Sequence, residues 1–217
     1  MSRLRIDMLR VLAAGILASC AQWAPAGADE LDPALVTKGR QLFETAGGVG
    51  CKACHGAYGE GKIGPTNRGV NEATIREALA KIGAMQFLKE QLGDGDIAQL
   101  AAYTDWMGRH LLVRTVLKRG RFIPEAVAVY PGTPIQLIVE NTGSEPSTVS
   151  SERIVATPQT IPPRESASIE WTAPAAEGTF TMACGTCKIK DGLLTIEVTR
   201  TAKPYVPPPQ PRVLAKP

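Results

Sequence analysis

The chain has 217 residues, enough for one large domain or two small ones, and its apolar content of 44% is ordinary for a folded protein. Aromatic residues make up only 5%, which suits a small core completed by a cofactor. Arg3, Arg5 and Arg10 against Asp7 put residues 1–28 at +2, so only +1 of the formal +3 belongs to the rest, and nothing in the balance argues for nucleic acid.

Met1-Ser2-Arg3-Leu4-Arg5 is a basic start, followed by an apolar run from Val11 to about Ala18. The run is too short to span a bilayer and reads as the apolar region of an export signal. Ala26-Gly27-Ala28 before Asp29 is a cleavage pattern, which bounds the signal at residues 1–28. Leu17-Ala18-Ser19-Cys20 competes with it, because it has the form of a lipoprotein motif in which Cys20 is lipidated and tethers the chain to a membrane. Either route carries the chain into the periplasm, where disulfides persist.

Within residues 29–115 the periodicity is helical. Val36, Gly39, Leu42 and Phe43 share one face of a first helix, and Gly47-Gly48-Val49-Gly50 ends it. Next comes Cys51-Lys52-Ala53-Cys54-His55, the attachment signature of a c-type haem. Two thiols on one turn can add to the two vinyl groups of one porphyrin, and the histidine that follows offers the proximal imidazole. A zinc site is the rival reading, but no second ligand pair stands nearby at finger spacing. Asn71-Glu72-Ala73-Thr74 opens a second helix with Ile75, Leu79 and Ile82 inward, and Asp94 is placed to cap a third across Ile97, Leu100 and Tyr103. The only histidines are His55 and His110, so the second axial ligand falls to a methionine. Met85, on a loop between helices, is the candidate, while Met107 at the end of the third helix reads as core. Ligation by His55 and Met85 would leave no vacant site on the iron, which favours electron transfer over oxygen chemistry.

Residues 35–107 resemble a small class I cytochrome c. The resemblance is carried by Gly39 and Phe43, Cys51-Lys52-Ala53-Cys54-His55-Gly56, Gly64-Pro65, Met85, and the closing run Asp96 to Tyr103. It implies that the first and last helices cross with Gly39 and Phe43 against Tyr103. It also implies that the Pro65 carbonyl accepts a hydrogen bond from the proximal imidazole, a contact that tunes ligand basicity. No proline directly follows Met85, which departs from the family's distal loop.

Residues 116–200 change to short β-rich runs between Pro, Gly and Asn turns, the pattern of an antiparallel sandwich. Phe122-Ile123-Pro124, Val129-Tyr130-Pro131-Gly132, Val139-Glu140-Asn141-Thr142-Gly143 and Gly178 to Cys184 resemble a cupredoxin-like domain. In copper-binding members of that family the last segment runs Cys-x-x-His-x-x-Met. Here Cys184 keeps its place, Cys187 and Lys190 stand at the histidine and methionine positions, and the upstream histidine position falls near Ser147. A blue-copper centre needs two histidines, and this segment has none. Cys184 and Cys187 therefore keep three readings. They form a disulfide or dithiol staple, or a soft-metal site for Cu(I) with Met182 as a weak third ligand, or a second haem attachment with Lys188 in place of histidine.

Residues 201–217 form a proline-rich tail. No Ser/His/Asp triad can be assembled, since His110 is the only histidine outside the haem motif. The expected fold is two domains, an all-α cytochrome c-like domain followed by an all-β cupredoxin-like sandwich. The expected function is a periplasmic c-type cytochrome with one covalent haem c, which exchanges electrons with redox partner proteins. The alternative is a redox subunit or metal-handling protein in which Cys184 and Cys187 bind copper or act as a dithiol.

Overall fold

The computed structural model describes residues 30–187 and 192–205. The export signal with Cys20, Lys188 and Lys190, and the tail beyond residue 205 lie outside the described residues. Five helices come first. α1 (Pro33–Thr45) starts where the Asp32 carboxylate accepts from the Ala34 amide at 2.8 Å, with Pro33 in the first turn. After a 3-10 turn (Ala46–Gly48) come α2 (Lys52–His55), α3 (Glu72–Lys81), α4 (Gly83–Gln86) and α5 (Asp94–Arg109). Asn71 caps α3 by accepting from the Thr74 amide at 2.9 Å. Gly93, not Asp94, is the cap of α5, and the Asp96 carboxylate accepts from the Gly93 amide at 2.9 Å. Met85 lies in the single turn α4 rather than in an open loop. Ile82 is 48% exposed, whereas Leu79 is buried. α3 ends at Lys81, so Ile82 no longer follows the helix's inward face.

Among the described residues the strands are β1 (Leu111–Lys118), β2 (Arg121–Ile123), β3 (Ala126–Val129), β4 (Pro134–Asn141), β5 (Ser147–Ser151), β6 (Val155–Ile161), β7 (Ser166–Thr172), β8 (Gly178–Cys184) and β9 (Leu193–Val198). They form two sheets in the orders β2-β1-β4-β7 and β3-β9-β8-β5-β6. Between the sheets lie Val113, Phe122, Ile135, Leu137, Val149, Ile161, Ile169, Met182, Leu194 and Ile196. β1 and β4 run parallel, with Leu111 opposite Ile135 and Leu117 opposite Asn141. The Asn141 side-chain amide donates to the carbonyls of Glu145, Ile161 and Pro162, which fixes the turn after β4.

The expectation of an all-α cytochrome c-like domain followed by an all-β domain is overturned. From Leu31 onward the chain is one compact unit dominated by the sandwich, and its helices make no distinct all-α domain. The physical reason is twofold. α5 ends at Arg109 and β1 begins at Leu111, so no linker intervenes. Charged and polar side chains then tie the helical segment to the strands. The Arg68 guanidinium donates to the carbonyls of Tyr58 at 2.7 Å and His110 at 2.9 Å, to that of Met107, and to Gln136 Oε1 at 2.9 Å on β4. Burial pulls Arg68 below its ordinary value, so this cation sits where only a full set of acceptors makes it tolerable. Arg40 of α1 pairs with Glu170 of β7 at 2.6 Å, and the Tyr58 hydroxyl lies 2.6 Å from Ser166 Oγ.

The helices cover an apolar cluster of Val36, Phe43, Leu79, Leu88, Leu92, Ile97, Leu100, Tyr103 and Met107. Within it α1 crosses α5 at Gly39, and Phe43 meets Tyr103 edge-on with ring centroids 5.4 Å apart. Among the described residues no helix is long and apolar enough to cross a membrane.

Candidate functional site

The Cys-x-x-Cys-His motif winds into α2 because the amides of Cys54 and His55 both bond to the Cys51 carbonyl, at 3.2 and 2.9 Å. Gly56 then takes a φ of 87°, and the chain turns away from the helix. The amides of Ile63 and Gly64 return to the Cys54 carbonyl, each at 2.9 Å, and bring Pro65 back beside the histidine. His55 Nδ1 lies 2.7 Å from the Pro65 carbonyl oxygen. That acceptor makes Nδ1 the protonated nitrogen, which leaves the Nε2 lone pair free as a donor to a metal.

Cys51, Cys54, His55 and Met85 all line one cavity of about 410 Å³. The sequence separates Met85 from the cysteine motif, and the fold brings them together through α3 and α4. Phe43 of α1, Val70 ahead of α3, Ile75 and Ala78 on α3, and Leu100 of α5 supply the apolar lining. The volume falls in the range of small-molecule and cofactor sites. The composition of the wall tests whether a porphyrin-like group suits it. The lining is overwhelmingly carbon, with its sulfur and imidazole donors at Cys51, Cys54, His55 and Met85. Asn67 lies on the same wall, and its Oδ1 is buried with no hydrogen-bond partner. The residues present therefore fit such a group.

Burial pushes the Cys51 thiol up to about 11, so it stays neutral at physiological pH. Cys54 of the same turn is exposed. Met107 is fully buried against Gly59 and lines no part of the cavity. His110 Nδ1 bonds to the Trp106 carbonyl at 2.7 Å, and its ring lies 4.0 Å from that of Trp106, so it is engaged at the end of α5. The motif reading missed Asn67 and Ile63 as wall residues. Asn67 carries no signal on its own, because its role exists only once the cavity forms around it.

In the sandwich, Cys184 and Cys187 are joined in a disulfide with Cα atoms 5.3 Å apart. Cys184 ends β8 facing the core, Met182 is fully buried behind it, and Val149 of β5 pairs with Cys184 across the sheet. Ser147, at the upstream position, begins β5. Among the described residues no group of three or more His, Cys, Asp or Glu could hold a metal ion.

The family model described as Cupredoxin-like domain matches residues 102–196. The match begins inside α5, in keeping with a helix that feeds straight into β1. No curated protein matches the chain. Among solved structures, the copper-containing nitrite reductase from Thermus scotoductus is 16% identical, with a TM-score of 0.36, covering 45% of this chain and 32% of that one. The metal-binding domain of the Cu(I)-exporting P-type ATPase of Streptococcus pneumoniae is 14% identical, with a TM-score of 0.35, covering 41% and 84%. Auracyanin from Roseiflexus castenholzii is 14% identical, with a TM-score of 0.34, covering 41% and 96%. At these scores the likenesses decide nothing about ligands. Residues 102–196 are thus similar to a cupredoxin-like domain, and the helical segment that carries the cysteine motif precedes most of the match.

Proposed function

We propose that this chain is an exported one-electron carrier or redox subunit that holds one covalent c-type haem in the cavity lined by Cys51, Cys54, His55 and Met85. The observation that carries the reading is the convergence of those four side chains on a single apolar cavity, with His55 Nδ1 held by the Pro65 carbonyl. Such a group supplies a reversible Fe(III)/Fe(II) couple. The chain's own part is attachment, orientation and exclusion of water. The Cys51 and Cys54 thiols form the two thioethers. His55 would offer Nε2 to the iron, its tautomer set by Pro65, Met85 would offer a thioether as a further donor, and Phe43, Val70, Ile75 and Leu100 would limit water at the site. With both His55 and Met85 holding the iron, the site would pass electrons to and from partner proteins rather than bind a substrate. The basic and apolar start of the sequence supports a periplasmic setting for this exchange.

The test is expression with the haem-attachment machinery, followed by intact mass and a pyridine haemochrome assay. One haem per chain, bound through two thioethers, is expected. Met85→Ala should abolish the weak long-wavelength band of methionine-ligated Fe(III), and Met107→Ala should leave it. A chain that carries no haem adduct at Cys51 and Cys54 overturns the proposal.

The second reading assigns Cys184 and Cys187 a redox or copper role. The disulfide favours the staple or dithiol over a resident metal site, since a sulfur spent in a disulfide is no thiolate ligand. Metal analysis and thiol titration of the purified protein decide it. Haem iron with no titratable thiol at these positions supports the staple, and stoichiometric copper refutes it.

A further inference from the structure

We propose that Glu60 is a positioning residue for the His55 imidazole, and that the sandwich holds it in place through Arg114. The inference rests on the reading of the cavity as a haem site. His55 and its acceptor Pro65 are the two ends of one loop, with no helix or strand between Gly56 and Pro65. The Ile63 and Gly64 amides on the Cys54 carbonyl return Pro65 to Nδ1, and what holds the 2.7 Å contact beyond them is whatever pins the rest of that loop.

Glu60 sits at its centre. Its Oε2 accepts from the Tyr58 amide at 2.7 Å, and its Oε1 accepts from the Arg114 guanidinium at 3.3 Å. Its carboxylate fills the space a side chain on Gly56 would need, since a Cβ there would lie 2.5 Å from Glu60 Cδ. The next residue, Gly61, donates its amide to the His55 carbonyl at 2.7 Å. The carboxylate is thus bracketed by backbone that belongs to the histidine.

The anchor is equally well defined. Arg114 lies on β1, between β2 and β4, and also reaches Glu140 at 3.1 Å. The Tyr205 hydroxyl binds its backbone on both sides, accepting from the Arg114 amide at 3.1 Å and donating to its carbonyl at 3.0 Å. The side chains of Arg114 and Glu60 are only 15% and 13% exposed, so their pairing is weakly screened and costly to break. The path runs from β1 through Arg114 and Glu60 to the loop, and from the loop to Pro65 and the imidazole. A firm Nδ1–H···O=C bond makes the imidazole a stronger donor and favours Fe(III); a slack one favours Fe(II).

The experiment compares full-length wild type with Glu60→Gln, Arg114→Met and Arg114→Lys, each checked for native circular dichroism and one haem per chain. Midpoint potential and solvent exchange of the His55 ring N–H by NMR are read together. Glu60→Gln should raise the potential and speed ring-proton exchange severalfold. Arg114→Met should speed the same exchange, and Arg114→Lys should restore it towards wild type. Opposite potential shifts in Glu60→Gln and Arg114→Met with unchanged exchange would show a bare field effect and overturn the positioning role, as would no shift in any variant. If wild type carries no haem, the cavity reading fails instead, and exchange of the ring proton in the haem-free chain still decides whether Glu60 positions His55.

Discussion

Gly39 gives the sharpest test of the packing that closes the cavity. It is buried in α1 where that helix crosses α5. A Cβ built there would lie 1.9 Å from the Gln99 carbonyl oxygen and 2.8 Å from Tyr103 Cβ. Real contacts of this kind do not fall below 3.0 Å, so α1 must move off α5 by about 1 Å. The obstacle is the backbone of a neighbouring helix, which cannot turn aside as a side-chain tip can. In a helix with free space, Gly→Ala stabilises by about 1 kcal/mol. Overpacking of a closed core costs about 1–3 kcal/mol, and a backbone obstacle belongs at the upper end. Gly39→Ala should therefore lose roughly 2 kcal/mol after its propensity gain is included. Urea unfolding followed by circular dichroism reads this as a lower midpoint with an unchanged slope. The separation also moves Phe43, which lines the cavity, so on the haem reading a smaller fraction of chains should acquire the covalent group. A variant as stable as wild type, or more stable by the propensity gain alone, would refute the close crossing.

Four further outcomes follow from the geometry. Arg68→Met strands the carbonyls of Tyr58, Met107 and His110 together with Gln136 Oε1, and should cost about 2–3 kcal/mol; calorimetry should also resolve the single transition into two as helices and sandwich come apart. In the haem-free chain, iodoacetamide at neutral pH should label exposed Cys54 well before Cys51. Because burial raises the Cys51 thiol from 9.0 to about 11, the stability gained by keeping it neutral is complete below pH 9 and is lost as pH climbs towards 11, which a Cys51→Ala control should not show. Reducing the Cys184–Cys187 disulfide opens a very short loop, so it should cost about 2 kcal/mol or less, seen as a modest fall in Tm alongside two new titratable thiols.

The parts of this fold that were legible in the sequence are those written in local chemistry. Asn71 announces α3 because a cap acts within three residues. The turns around Pro131-Gly132 and Asn141-Thr142-Gly143 likewise mark strand ends. What could not be read was the joining of helices to sheet. Arg68, Glu60 and Arg114 look like ordinary surface charges until β1 and β4 bring Arg114 and Gln136 to meet them, and no periodicity encodes a partner so far along the chain. The run from Phe122 to Tyr130 alternates like one strand but splits into β2 and β3 in different sheets. β1 escaped notice because Leu111 follows Arg109 of α5 without any turn residue to mark the change. Ile82 fits the helical stripe, yet the helix stops one residue short of it.

The uninterrupted passage from α5 into β1 has a consequence for how the molecule matures. The cavity wall includes Leu100 and Thr104 of α5, and the loop beside His55 is pinned by residues as late as Arg114, Gln136 and Ser166. A chain that crosses a membrane amino end first presents Cys51 and Cys54 before any of these arrives. On the haem reading, the thiols would stand during that interval in open polypeptide, where an attachment enzyme could grasp them. The later strands would then close on a motif already modified, and order of synthesis would become order of assembly.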